Sequence, residues 1–266
     1  MTTITKQSRP LEYVPFSRSR VDIIIPFYGQ YEKVTSLVES ILVAVRSNPY
    51  HITLVDDCSD NNSFYKEIND QFKKKTPEGV VPQVACIRNP EQIGFGASLK
   101  VGYDNTNLPW VLFMHSDCLV EDTNFMIEMG QSLLDWKEKN VPVKLVSARS
   151  NNPMDCSKAK AKLGEKGNVN IVLEKETLPL FCAMCHRDLF SNIGGFIKPY
   201  PFAWYEEDEL AFRMRKYGYK QGISTKAWIR HEGGSTIKHL WSKNKDAKEI
   251  MEKNHSICVN DIKNLS

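Results

Sequence analysis

Residues 21–27, VDIIIPF, form a nearly continuous run of β-branched and apolar side chains closed by Pro26 and Phe27. A strand with one wet face alternates polar and apolar residues. A run with almost no alternation belongs at the centre of a parallel sheet, covered on both sides. Parallel neighbours need a crossover, and the next segment supplies one. In YEKVTSLVESILVAV, Val34, Leu37, Val38, Ile41 and Leu42 recur at helical spacing.

The alternation then repeats. HITLVDD is a second strand ending in two acids, FYKEINDQFKKK a short helix with a solvated basic end, and VVPQVACI a third strand with an irregular start at its proline. GFGASLKVGYDNT is a glycine turn entering a helix, and WVLFMHSD is a fourth strand. DTNFMIEMGQSLLDWKEKN is a helix capped by Asp122, and VPVKLVSA is a fifth strand. To about Ala148 the chain is therefore an α/β protein with a doubly wound, mostly parallel sheet flanked by helices.

Beyond Ala148 the pattern loosens. SNNPMDCSKAKAKLGEKGN is polar, lysine-rich and broken by glycine and proline; it reads as a mobile loop over a site or, more simply, a surface excursion. LPLFCAMCH reads as a half-buried strand, because its Cys182 and Cys185 have no second pair at zinc-finger spacing. EEDELAFRMRKYGY is a helix with Leu210, Met214 and Tyr217 on one face and Gly218 as its stop. KAWIRHEGGST is a strand entering a glycine turn, and a polar helix follows from about Asp246. With no internal repeat and no clean linker, the expected organisation is a basic arm (1–20), one domain (21–240, with halves 21–148 and 149–240) and a helical tail (241–266).

The 266 residues suit one α/β domain. A net charge of +3 is too small to argue for nucleic acid and does not exclude it. No apolar run reaches bilayer length, and the N-terminal stretch lacks the apolar core of a secretory leader. Seven cysteines without framework spacing read as free thiols, so the expected setting is the cytoplasm.

In open α/β sheets, ligands bind beyond the carboxyl ends of the strands. Those ends carry Pro26, Phe27 and Tyr28; Asp56, Asp57, Ser59 and Asp60; Arg88 and Asn89; and His115 and Asp117. Brought together, they make an acidic pocket with a few donors, which calls for a divalent cation and a phosphate-bearing ligand. GFGASLKVG suits phosphate, but it is neither a dinucleotide fingerprint after a first strand nor a P-loop.

Six stretches in order, IIIPFYGQYEKVTSLVESI, LVDDCSD, RNPEQIGFGASLKVG, FMHSDCLV, YEEDELAFRMRKYGY and IRHEGGST, resemble a family 2 glycosyltransferase of the GT-A fold. The resemblance covers roughly Val21 to Thr236. It implies an inverting enzyme that uses a nucleotide-diphospho-sugar, a UDP-sugar in first place, with Mn2+ or Mg2+. By position Pro26 and Tyr28 would line base and ribose, and Asp56 or Asp57 would hold the uracil or ribose edge. Gly94, Gly96 and Ser98 would let the chain pass close to the nucleotide, with Asn89 among the residues that bind it and Lys100 as a nearby cation.

HSD falls on the family's D-x-D position, with His115 in the first place and Ser116 beside the donor. An extended strand would turn His115 and Asp117 to the same side. Asp117 would bind metal. His115 would be a second ligand tilting preference toward Mn2+, or a contact to ribose or sugar. His231 would complete the metal shell. YEEDEL matches the acceptor-side acidic motif, which puts Glu207 where the catalytic base is expected, with Asp208 as the neighbour able to replace it. Glu206 and Trp204 would face the acceptor. The acceptor itself is open: a saccharide first, with a hydroxylated nucleobase in nucleic acid or a protein as the others.

Two other readings compete. A nucleotidyltransferase shares the sheet, acids and metal, but carries a glycine- and Arg/Lys-rich loop after its first strand; PFYGQYEK has one glycine and no arginine. A degenerate, non-catalytic nucleotide-sugar-binding module is compatible with His115 and Glu207 at positions where the family places acids of its own.

Overall fold

Strand β1 (Val21–Phe27) is buried at every position, as its apolar run requires. In this computed structural model, which describes residues 16, 19–45, 49–61, 63–73, 84–154, 156–162, 164–233 and 246–265, β1 lies between two parallel partners. They are β2 (Tyr50–Asp56), extended in parallel by β3 (Val84–Arg88), and β4 (Trp110–Met114). The crossovers are α1 (Tyr31–Ala44), α2 (Phe64–Lys73) and α3 (Phe95–Asp104). Alternate residues of β1 feed two cores. Ile23 and Ile25 pack with Val34 and Leu37 of α1, whereas Ile24 packs with Leu99 of α3. Helices thus cover both faces of the sheet. Most of the expected basic arm, and the boundary expected at 240/241, lie outside the described residues.

The remaining elements are β5 (Cys118–Leu119), α4 (Phe125–Glu138), β6 (Val143–Ser150), β7 (Ile171–Leu173), β8 (Cys182–His186), α5 (Asp188–Asn192), α6 (Glu206–Lys216), β9 (Lys220–His231) and α7 (Ala247–Leu265). The sheet order is β3-β2-β1-β4-β8-β6-β9-β5, with β7 on β9. Its longest ladders are parallel, so the sheet is mixed and mostly parallel, as expected.

Three local expectations are corrected. The C-x-x-C strand, β8, is antiparallel between β4 and β6, and its first four residues are buried. A strand inside the sheet with both faces covered has no wet side, so it is fully rather than half buried. Burial pushes both its thiols up, and all seven cysteines are free. Asp122 does not cap α4: its carboxylate takes the Asn124 and Trp228 amides and pairs with Lys166, tying the helix entry to β9. Tyr217 is 49% exposed. It sits at the C-cap, one residue past α6, where Gly218 at φ 78° turns the chain away. Among the described residues no helix is long and apolar enough to cross a membrane.

The end of the sheet opposite the carboxyl ends of β1 and β4 is locked by one buried pair. The Asp22 carboxylate accepts the Leu108 amide at 2.7 Å and pairs with Arg187 at 2.9 Å. Arg187 also donates to the carbonyls of Leu108 and Tyr103 and to the Thr106 hydroxyl. Arg187→Ala removes every one of these donors and leaves Asp22 buried without its cation. The expected loss is about 3 kcal/mol of unfolding free energy, read as a lower urea midpoint at unchanged slope. A loss below about 1 kcal/mol would contradict this lock.

Candidate active site

β1 and β4 pair only as far as Ile24 and Phe113. Beyond that point Pro26 has no N–H to extend a ladder, and the strands part over a cavity of about 440 Å3. Pro26, Tyr28 and Asp57 line one part of it, His115, Ser116 and Asp117 another, and Trp204, Glu206, Glu207 and Asp208 a third. Some of the residues expected on donor, metal and acceptor therefore share one cavity. Among the described residues that line it, none is Lys or Arg.

His115 and Asp117 do converge, but not by strand alternation. β4 ends at Met114, and residues 115–117 form a tight turn closed by the Cys118 amide on the His115 carbonyl at 3.2 Å. Cys118 then pairs across an antiparallel ladder with His231, the last residue of β9. That register carries His231 from far along the chain to Asp117. The side-chain ligand atoms of His115, Asp117 and His231 lie within 4.8 Å of one another.

His231 is fully buried and stacked on Phe181, with ring centroids 4.9 Å apart. Its Nδ1 lies 2.7 Å from the Asn152 carbonyl oxygen. A carbonyl only accepts, so Nδ1 carries the proton, and in the neutral ring Nε2 offers a lone pair. That Nε2 makes no hydrogen bond, although Asp117 Oδ1 lies 3.2 Å away. Two electron-rich atoms at that distance repel unless a proton or a metal cation lies between them. His115 is pushed down to about 4, first by burial and then by His231, against the pull of Asp117. It is therefore neutral at neutral pH and offers a second imidazole. Two imidazoles and a carboxylate, one imidazole oriented from behind by a carbonyl, fit a divalent transition-metal cation, Mn2+ among them, better than Mg2+.

The sequence did not single out Asn151 and Asn152. Asn151 exchanges two hydrogen bonds with the His231 backbone, and Asn152 also donates to the Glu232 carbonyl at 3.0 Å. A Cβ on Gly233, at φ 73°, would lie 2.0 Å from the Asn152 side chain. The glycine after the histidine thus admits the residue that orients it. The lysine-rich segment is neither a bare excursion nor a simple cover. Met154 and Cys156 line the cavity, while Lys158 and Lys166 pair outward with Glu176 and Asp122.

The aspartate doublet divides. Asp56 is fully buried, accepts the Ser59 amide and is paired with Arg88, so it shapes the turn and does not line the cavity. Asp57 lines it, with its carboxylate fixed by the amides of Ile93 and Gly94 and by Asn89 Nδ2. Asn89 is buried and also donates to Ser98 at 3.0 Å, so it stands behind Asp57 rather than in the wall.

Two expectations for the glycine turn are corrected. At Gly94, φ 89°, a Cβ would lie 2.8 Å from the Phe202 backbone nitrogen; at Gly96 it would lie 3.0 Å from Glu206 Cγ and 3.1 Å from Pro199 Cα. The close approach these glycines permit is therefore by the 199–206 segment of the chain itself. Lys100 is turned to solvent and paired with Asp104 one helical turn on, and it is not in the wall.

The four acids of EEDE have four separate settings. Glu209 is buried in a two-bond pair with Arg213, whose other donors hold the Gly195 and Phe196 carbonyls. Asp208 is exposed and accepts from Thr177 at 2.8 Å. Glu207 is half-buried on the cavity wall. Glu206 is fully buried, and neither of its carboxyl oxygens makes a hydrogen bond among the described residues. Just before them, Phe202, Trp204 and Tyr205 all have positive φ, at 61°, 80° and 75°. Side chains other than glycine are strained there, and such strain collects at functional sites.

A family model for glycosyl transferase family 2 matches residues 22–194. No curated protein sequence matches the chain. Solved structures are similar in fold. GalNAc-T7 with UDP, GalNAc and Mn2+ aligns at 12% identity and a TM-score of 0.60, over 80% of this chain and 43% of that one. The mannosyltransferase PcManGT from Pyrobaculum calidifontis, in complex with GDP-Man and Mn2+, aligns at 16% and 0.61, over 88% and 63%. TarS 1-349 of S. aureus in complex with UDP-GlcNAc aligns at 15% and 0.56, over 82% and 60%. The chain thus spans between 43% and 63% of the length of these three.

The family match ends before α6, so Glu206 is read from its surroundings. Burial, then the charge of Glu207, holds its carboxyl well above the ordinary value of 4.5, against the weaker pull of its own backbone N–H and those of Gly96 and Tyr200, which lie near it without reaching hydrogen-bond geometry. Below 4.5 both folded and unfolded states carry the proton and no penalty arises. Above it the unfolded chain ionises first, so stability drains as pH rises toward the folded value, by at most about 1.4 kcal/mol per pH unit. Glu206→Gln removes that slope. Thermal scans from pH 5 to 8 should find the variant gaining on wild type as pH rises; parallel curves would show that Glu206 is not held protonated.

Proposed function

The chain belongs to glycosyl transferase family 2, and from that premise we propose that it is an inverting, metal-dependent glycosyltransferase. It moves a sugar from a nucleotide-diphospho-sugar, a UDP-sugar in first place, to an acceptor hydroxyl. The observation that carries this reading is the buried Nε2 of His231 facing Asp117 Oδ1 at 3.2 Å, without a hydrogen bond, in a cavity that Glu207 also lines. Seven free thiols suit a reducing, cytoplasmic setting.

Pro26 and Tyr28 would flank base and ribose, and the Asp57 carboxylate, fixed by two amides, would meet the uracil or ribose edge. Asp117, His231 and His115 would hold the cation, Mn2+ ahead of Mg2+. A bound divalent cation supplies charge neutralisation for a departing nucleoside diphosphate. Glu207 would take the proton of the acceptor hydroxyl. Its place in the first turn of α6 favours the negative charge a base needs. The acceptor oxygen then bonds to the anomeric carbon as the bond to the diphosphate breaks on the opposite face, and the configuration inverts. Asp208, held by Thr177, is the second candidate base. Trp204 would offer its ring to a sugar face, and a saccharide is the first acceptor to test.

Thermal shift and nucleoside-diphosphate release test these roles together. At 100 times Kd, UDP-GlcNAc with Mn2+ should stabilise wild type by about 2.7 kcal/mol, and GDP-mannose less if uracil is preferred. Asp117→Asn and His231→Ala should lose the Mn2+-dependent shift. Glu207→Gln should bind donor as wild type does and lose about a hundredfold or more in turnover. Full turnover in EDTA would sink the metal reading, and wild-type turnover in Glu207→Gln would move the base elsewhere.

A further inference from the structure

Helix α7 lies beyond the residues matched by the family, yet it reaches the cavity: Met251 is part of the wall. Three residues on, Asn254 is fully buried. Its Nδ2 donates to two carbonyls of the strained segment, Pro201 at 2.8 Å and Ala203 at 2.9 Å. Its Oδ1 is buried with no partner among the described residues. A buried amide whose acceptor is left empty is costly, so this side chain is placed for its two donor bonds and not for packing alone.

The carbonyls it holds alternate with the residues at positive φ, Phe202 and Trp204. Backbone in that region relaxes unless its surroundings over-determine it. Further contacts from α7 act on either side. Cys258 Sγ lies 3.8 Å from the Tyr205 carbonyl, and Asp261 takes the Tyr200 hydroxyl at 3.0 Å and pairs with Lys198 at 2.5 Å. Across the segment, the Phe202 carbonyl accepts the Phe95 amide at 2.6 Å. The segment is thus clamped between the start of α3 and the face of α7.

We propose that Asn254 is a positioning residue: its side-chain amide holds the 201–205 backbone in its strained form, and so sets where Trp204 and Glu207 stand in the cavity. The functional half of this inference rests on the acceptor-side reading of that wall; the structural half does not.

Asn254→Ala tests it against Asp261→Ala, which loosens the same helix through Tyr200 and Lys198 and leaves both carbonyl bonds in place. Hydrogen exchange read by mass spectrometry over residues 199–209 should quicken about tenfold in Asn254→Ala and stay within about twofold in Asp261→Ala, in proteins of matched melting temperature loss. Release of UDP from UDP-GlcNAc with Mn2+ should fall about tenfold in kcat in Asn254→Ala at unchanged donor KM, with Asp261→Ala again within about twofold. Unchanged exchange in Asn254→Ala, or the same exchange and kcat loss in both variants, would overturn the proposal and leave Asn254 a packing residue. Where wild type releases no nucleotide from any donor, the function proposed above fails and the exchange comparison alone decides the role of Asn254.

Discussion

A two-residue ladder holds the site together. Cys118 and Leu119 pair with His231 and Arg230, and this short antiparallel contact is what sets a histidine from the end of β9 beside an aspartate from the turn after β4. Everything around it serves that register. The Glu232 amide donates to the Asp117 carbonyl at 3.1 Å, Asn151 closes on the His231 backbone, and Phe181 lies flat against the ring. A slip of one residue would send the imidazole to the opposite face. The sheet core supplies rigidity, but the chemistry of the pocket depends on this one pairing.

The second half of the chain is held against the first by close approach, and the cost is local strain. Gly94 and Gly96 remove two Cβ atoms where Phe202, Pro199 and Glu206 come near, and the Phe95 amide then bonds the Phe202 carbonyl. The same segment buries a carboxyl without partners and keeps three residues at positive φ. Arg213 offsets part of this by fixing the preceding loop through Gly195 and Phe196. Rigid elements thus hold a wall that would not be stable alone, and such a wall keeps reacting groups in place without reorganisation.

The sheet was legible because its information is local. A run buried on both faces, followed by a helical period, specifies strand and crossover whatever lies elsewhere. The place of β8 was not, since which strands flank a segment is decided by tertiary pairing and no residue within CAMCH records it. The site shows the same division. His115, Asp117 and His231 were named from the sequence and meet in space, but the turn that joins the first two and the asparagines that orient the third were not legible there. Gly94 and Gly96 signalled a close approach, expected to be of the nucleotide, whereas the 199–206 segment is what comes near them. For Lys100 the spacing to Asp104 was the available sign that it pairs along its own helix. For Asp56 it was Arg88, at the end of the neighbouring strand.

Charge is the last constraint, and it bears on how a diphosphate can be accommodated at all. The cavity is lined by Asp57, Asp117, Glu206, Glu207 and Asp208, and by no Lys or Arg among the described residues. The basic groups nearby are engaged elsewhere: Arg88 on Asp56, Arg213 on Glu209, Lys100 on Asp104. An anionic ligand entering such a wall meets repulsion that low local dielectric makes worse. Two features lower it. Burial raises the Glu206 carboxyl well above its ordinary value, which favours its neutral form in this wall. On the proposed reading, a cation between Asp117 and the two imidazoles removes more. Metal and nucleotide would then bind as an interdependent pair, each weak without the other, because the described residues of the wall supply no other counter-charge.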